Sequence, residues 1–222
     1  MDDEIYRITE DLMIGDLKIV QDKRLYRFTS DSIVLSRFAD CLKSEVVADF
    51  CAGSGIVGLH YYGLHADRVK TVDLFELQPE LCEIARKSIE INGLQDKFSL
   101  IEGRLQDAPV SLNGKYTLVL CNPPYIRSAV CDELDRTVLQ EPRMALCGGE
   151  DGLLFYRTLI PYFHAVLPQG ARVLFEIGYD QGGLLAFAKR YFPLAELKKD
   201  YGGNDRMLIL RQTKPKTEQK QT

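Results

Sequence analysis

Asp49-Phe50-Cys51-Ala52-Gly53-Ser54-Gly55-Ile56-Val57-Gly58 is the stretch on which the fold turns. It continues a short apolar run that starts at Val46 and leads into residues of helical spacing, so it reads as the turn between a buried strand and a helix. Glycines 53, 55 and 58 fit the GxGxxG spacing, which lets a backbone turn sharply and come close to a ligand. A glycine-rich turn alone can also be purely structural. Two acidic residues give this one a ligand-binding sense. Glu76 ends the next apolar run, about 20 residues on, where a carboxylate can accept hydrogen bonds from a ribose diol. Asp49 ends the first strand, where it can meet a cationic group on the ligand. Asp73 lies inside Val72-Asp73-Leu74-Phe75-Glu76, which leaves Glu76 as the residue at the strand end.

From Val46 onward, short apolar runs alternate with amphipathic stretches, the pattern of an α/β fold whose parallel strands are joined by crossover helices. Strands are expected at 46–50, 71–75, 98–101, 117–121 and 172–177, and helices over 79–92, 152–166 and 182–191. Asn92-Gly93 and Pro168-Gln169-Gly170 supply helix stops. The last two runs, 197–199 and 206–211, flank the turn-rich Asp200-Tyr201-Gly202-Gly203-Asn204, so an antiparallel pair should close the sheet. Residues 44–212 thus form the main domain. Residues 1–43 form an N-terminal entrance segment at the mouth of the site. In it, Leu17 to Gln21 and Leu25 to Phe28 make a hairpin around Asp22-Lys23, and 31–42 make a helix after a Thr29-Ser30 cap. Residues 213–222 should be a disordered polar tail.

With 222 residues and 45% apolar composition, the chain can bury one substantial core. A net charge of −4 argues against coating nucleic acid non-specifically, since phosphate neutralisation supplies most of that affinity. Lys23, Arg24 and Arg27, Arg127, Arg136 and Arg143, and Lys214, Lys216 and Lys220 are either a local basic surface or solvating charge. No segment has a signal-peptide pattern or the apolar length of a membrane helix, so a soluble, cytoplasmic protein is expected. Cys41, Cys51, Cys82, Cys121, Cys131 and Cys147 show no paired spacing, which predicts free thiols and no zinc or other metal site. His60, His65 and His164 fall on expected helices and take no catalytic role.

Asn122-Pro123-Pro124-Tyr125 follows directly on the strand at 117–121, at the carboxyl end where open α/β sheets place their ligands. A nicotinamide dinucleotide would suit the glycine loop equally well; this second motif decides against it. The residue types fit transfer of a group to a planar nitrogen whose lone pair is delocalised, as in an amide or adenine N6. If the Asn122 side-chain oxygen and the Pro124 carbonyl each accept one of its protons, the nitrogen is drawn toward tetrahedral geometry and no strong base is needed. Pro123 and Pro124 stiffen the loop so that the acceptors stay aimed. Tyr125 offers a face for stacking, worth about 1–3 kcal/mol per base.

Taken together, these residues resemble the class I S-adenosylmethionine-dependent methyltransferases of the NPPY group, from about Asp16 to Arg211. The resemblance implies a Rossmann-like, mostly parallel seven-stranded sheet in the order 3-2-1-4-5-7-6, with S-adenosyl-L-methionine as cofactor. It assigns Asp49, Gly53, Gly55 and Glu76 to the cofactor, together with Asp31, for which a helix cap is the alternative reading, and Leu105 and Asp107 near the adenine. Leu17-Lys18-Ile19-Val20-Gln21 with Tyr26-Arg27-Phe28-Thr29-Ser30-Asp31-Ser32-Ile33-Val34-Leu35 is similar to the entrance segment of bacterial tRNA(Val) adenine-N6 methyltransferases. Glu141-Pro142-Arg143-Met144-Ala145-Leu146, Gly148-Gly149-Glu150-Asp151-Gly152-Leu153 and Glu176-Ile177-Gly178-Tyr179-Asp180-Gln181 are similar to the release-factor glutamine methyltransferases. The Pro-Arg-Pro-Glu-Thr-Glu entrance motif of those enzymes and their helical N-terminal domain are not found, and Gly103-Arg104 stands where many relatives have Gly-Asp. The resulting expectation is adenine-N6 methylation of tRNA, with N5-glutamine methylation of a protein such as a release factor as the alternative, and with no membrane or metal partner.

Overall fold

The computed structural model describes residues 3–25, 30–103, 112–133 and 146–213. A hairpin of β1 (Arg7–Asp11) and β2 (Lys18–Asp22) precedes α1 (Ser30–Phe38). The alternation then runs β3 (Glu45–Phe50), α2 (Ile56–His65), β4 (Val69–Glu76), α3 (Pro79–Ile91), β5 (Phe98–Glu102) and β6 (Leu118–Cys121). It continues through α4 (Ser128–Glu133), α5 (Leu154–Val166), β7 (Arg172–Glu176), α6 (Leu184–Ala188), β8 (Glu196–Lys199) and β9 (Asp205–Arg211).

The main sheet has the order β5-β4-β3-β6-β7-β9-β8. Numbered from β3, this is 3-2-1-4-5-7-6, as expected, with β9 antiparallel to both neighbours. Chain direction across the sheet reverses between β3 and β6, so the crevice at their carboxyl ends is the place where such sheets bind ligands. Both strands are buried nearly throughout, which is why they read as continuous apolar runs rather than alternating ones. On one face Leu74, Leu120 and Leu174 pack with α1, α2 and α3; on the other Phe50 and Phe175 pack with Tyr156 and Phe163 of α5 and with α6. Helix α3 starts at Pro79 and stops where Gly93 takes φ +64°, as the turn chemistry predicts.

The amino ends of β3 and β7 are pinned by a buried ion pair. Arg172 donates to Glu45 and to the Asp40 carbonyl (2.6 Å), and Glu45 also accepts the Thr117 hydroxyl at 2.6 Å and the Leu42 N–H at 2.8 Å.

The hairpin described pairs β2 with Arg7–Asp11 through a turn over residues 12–17; most of the expected partner, residues 26–28, lies outside the described residues. Asp22-Lys23, which has turn composition, makes a local turn held by Asp22 and Arg24 after the strand has ended. Docking selects the observed turn: Ile14 and Leu17 rest against Gly63 of α2, where a Cβ would come within 3.0 Å of each. The hairpin lies along the helices. Val20 donates to Ser88 (2.9 Å), Lys18 and Asn92 exchange backbone-to-side-chain bonds, and Arg7 pairs with Glu83. It therefore braces α2 and α3. Residues 26–29 and the tail from 214 lie outside the described residues.

The expectation of free thiols holds for Cys41, Cys51, Cys82 and Cys121 but fails for Cys131 and Cys147, which are bonded with Cα atoms 6.2 Å apart. They stand 16 residues apart with no spacing signature, and the parallel bridge between Ile126 and Cys147 brings the second beside α4. Among the described residues no helix is long and apolar enough to cross a membrane, and no group of three or more His, Cys, Asp or Glu side chains could hold a metal ion.

Candidate active site

The glycine loop forms because the chain must reverse at the end of β3 while staying close to β4. Cys51 already takes φ +60°, and Gly53 and Gly55 follow at +57° and +84°, a region that glycine enters without strain. Each glycine answers a different need. A Cβ on Gly55 would stand 2.9 Å from a Leu74 methyl. One on Gly58 would stand 2.8 Å from Leu74 and 3.1 Å from Asp49 Oδ2, while Gly53 faces open space.

Asp49 is 1% exposed. Its Oδ2 accepts the Gly58 N–H at 2.8 Å, which satisfies a donor in the first turn of α2, whereas Oδ1 has no hydrogen-bond partner among the described residues. Burial raises the Asp49 carboxyl to about 7; the Gly58 bond opposes that rise and the nearby Glu76 adds to it. Glu76, at the end of β4, accepts Gly53 N–H at 2.8 Å on one oxygen and the Leu77 and Gln78 N–H groups at 2.8 and 2.9 Å on the other. Asp73, the rejected candidate, points elsewhere, accepting from Tyr116 and Lys115.

Strand register sets the second half of the site. Phe50 pairs with Cys121, so the glycine loop and Asn122 leave adjacent strands at the same level. Asn122 is half-buried, Pro123 buried, Pro124 and Tyr125 half-buried. The Tyr125 hydroxyl lies 3.3 Å from Glu176 Oε1 at the end of β7. The Pro124 carbonyl faces Gly148, where a Cβ would stand 2.7 Å from the oxygen. Beyond Tyr125 the backbone is zipped to the next segment: Ile126 donates to Leu146 (3.0 Å), Gly148 to Ile126 (2.8 Å) and Ser128 to Gly149 (2.9 Å).

Sequence reasoning gave no role to Gln181, which is buried beneath this junction and bonds to Tyr125, Gly152 and Gly178. Its only signal was its place at the end of the Glu176–Gln181 signature. Asp31 falls in the first turn of α1, and its side chain lies outside what the structure describes; Leu105, Asp107 and Arg143 are also outside the described residues. Buried His60 bonds to the Ser36 hydroxyl at 2.7 Å, and burial lowers it to about 4, so it is neutral at physiological pH.

The family model of the methyltransferase small domain matches residues 29–156, over half of the chain. The chain belongs to this family. The release factor glutamine methyltransferase of Moorella thermoacetica is 33% identical over 210 residues, covering 90% of this chain and 71% of the relative. The enzyme of that name from Clostridium botulinum is 32% identical over 169 residues, and the match covers 74% of this chain and 59% of the relative's length. In fold, the chain is similar to an RNA methyltransferase from Salinibacter ruber solved with S-adenosyl-L-homocysteine. That match has a TM-score of 0.53 and 17% identity over 88% of this chain and 98% of the other.

Membership in this methyltransferase family makes S-adenosyl-L-methionine the cofactor, and the residues present fit it. The unpartnered Asp49 Oδ1 is a buried acceptor suited to an ammonium group, the open side of Gly53 admits close approach, and Glu76 stands where a ribose would be met. When bound, the cofactor supplies an electrophilic methyl group.

Proposed function

We propose that the protein methylates the side-chain amide nitrogen of a glutamine in a protein substrate such as a peptide chain release factor. The observation that carries this reading is the placement of Asn122: it leaves β6 level with the glycine loop, half-buried at the crevice. Its side-chain oxygen accepts one proton of the amide and the Pro124 carbonyl accepts the other. Both bonds weaken the delocalisation that makes an amide nitrogen a poor nucleophile. With the cofactor bound, the nitrogen would take the methyl group as the sulfur–methyl bond breaks, the sulfonium leaving as the thioether S-adenosyl-L-homocysteine, and would give up one proton to solvent, so no side chain is needed as a strong base.

Two observations support a protein over tRNA, the reading suggested by the entrance segment. The relatives named above carry release-factor glutamine methylation in their names. Two described cations that line one pocket beside the loop, Arg127 and Arg157, are also already held by carboxylates, Arg127 by Asp180 at 2.6 Å and Arg157 by Asp151 at 2.5 Å, and exposed Glu150 lines the same pocket. A phosphate backbone would have to displace those partners.

The test is transfer of labelled methyl from S-adenosylmethionine to two pools taken from cells lacking this protein, purified release factors and total tRNA. Label recovered as methylglutamine supports the proposal. Label recovered as N6-methyladenosine overturns it in favour of the tRNA reading.

A further inference from the structure

Gln181 makes no side-chain hydrogen bond to the glycine loop or to Asn122 among the described residues, yet its carboxamide joins three segments. Nε2 donates to the Tyr125 carbonyl at 3.1 Å and to the Gly152 carbonyl at 3.2 Å, and Oε1 accepts the Gly178 N–H at 2.9 Å. These partners fix the orientation of the amide, because reversing it would set oxygen against two carbonyls and N–H against N–H. The fit has no slack. A Cβ on Gly152, which sits at φ +77°, would collide with the Tyr125 carbonyl and lie 2.9 Å from Gln181 Nε2, and one on Gly178 would lie 3.2 Å from Gln181 Cδ.

The tie matters because of what the prolines take away. Pro123 and Pro124 have no N–H, so at these two positions the backbone has no donor and can be held only through carbonyls. β6 fixes the loop before Asn122, and the bonds of Ile126 and Ser128 fix it after Tyr125. Between them, the Tyr125 carbonyl is the atom that Gln181 secures. We propose that Gln181 is a positioning residue: by locking the Tyr125 peptide against the Gly152 turn and the Gly178 loop, it aims the acceptors of Asn122–Tyr125. This rests on the reading of that loop as the catalytic one.

Three variants separate the role from general folding. Gln181→Glu keeps the shape but cannot donate while ionised, Gln181→Met removes both functions, and Gln181→Asn keeps the donor with a shorter reach. With purified release factor as substrate, Gln181→Glu should lose kcat by on the order of 10- to 100-fold, the scale of a small misplacement of reacting groups. Its KM for S-adenosylmethionine should stay within about twofold of wild type. Relative to wild type, its kcat should recover as pH falls from about 8 to about 6, because a protonated carboxyl can donate one of the two lost bonds. Gln181→Met should show no such recovery. Hydrogen exchange, which needs no substrate, should quicken at the amides of Ile126 and Ser128 and stay unchanged at Leu59 of α2.

Unchanged kcat in Gln181→Glu, an acid recovery shared by Gln181→Met, or unchanged exchange at Ile126 and Ser128 would each overturn the proposal. If Gln181→Glu does not fold, Gln181→Asn should show the same split with a smaller loss, and equal activity in it would also overturn the proposal. If the wild type labels no release factor, the substrate reading fails, while the exchange comparison still decides the role of Gln181.

Discussion

Asp49→Asn exchanges a buried carboxyl for a neutral amide of the same shape, and the structure sets its effects on stability and on cofactor binding in opposite directions. The Asp49 carboxyl is raised from 3.8 to about 7 by burial. Between those values the folded chain binds more protons than the unfolded one, so stability falls as pH rises through the window and levels off above it. At about 1.4 kcal/mol per unit, the cost is roughly 4 kcal/mol at pH 8 and roughly 2 kcal/mol at pH 5. Asparagine carries no such term. Its Nδ2 must occupy the slot in which Oδ1 has no partner, a penalty of about 1–3 kcal/mol that does not vary with pH. The neutral His60 contributes equally to both proteins and cancels. The melting temperature of Asp49→Asn relative to wild type should therefore rise by roughly 5–10 °C between pH 5 and pH 8, taking 2–4 °C per kcal/mol for a chain of this size. Over the same range its affinity for S-adenosylmethionine should be about 10- to 100-fold weaker at pH 8, the loss of one charge-assisted bond. Calorimetry should show wild-type affinity weakening below pH 7 and variant affinity nearly flat. A melting difference that does not change with pH, or equal cofactor affinity in both proteins, would refute the reasoning.

Asn122→Ala should cut turnover by a few hundred-fold with nearly unchanged affinity for the cofactor, measured by equilibrium binding beside the activity assay. Glu76→Ala should weaken cofactor binding first, since it removes the acceptor at the β4 end and releases the Gly53 N–H; an unchanged dissociation constant would remove Glu76 from the ribose. Glu45→Ala leaves Arg172 buried without its carboxylate and should cost about 3–5 kcal/mol in denaturant unfolding. Alkylation under denaturing, non-reducing conditions should modify Cys41, Cys51, Cys82 and Cys121, and reach Cys131 and Cys147 only after reduction.

Local chemistry was legible in the chain wherever a residue type has only one comfortable use. Gly53 and Gly55 do lie at positive φ, and Gly93 does stop α3. The buried strands were visible because burial on both faces leaves no alternation to misread, and the closing antiparallel pair because its turn is rich in glycine. The pairing of β1 with β2 was not legible, because its turn, Leu12 to Leu17, is largely apolar and is selected by docking on Gly63. Gln181 escaped for a related reason. Nothing local distinguishes a glutamine that solvates a loop from one that bonds two carbonyls contributed by residues 29 and 56 positions away. Substrate choice was also hidden, since the entrance segment and the later signatures pointed to different acceptors.

The buried pair of Glu45 and Arg172 has a consequence at the far end of the sheet. It clasps β3 to β7 across β6, and these three strands carry the glycine loop, Asn122 and the Gly178–Gln181 loop. Sliding one strand along its neighbour would have to break that clasp. The five residue steps from Glu45 to Phe50 span roughly 17 Å at about 3.3 Å each. The alignment of donor and acceptor groups is thus guarded from the opposite edge of the sheet, and loosening that edge should register first as lost catalytic accuracy, in a protein that still binds its cofactor.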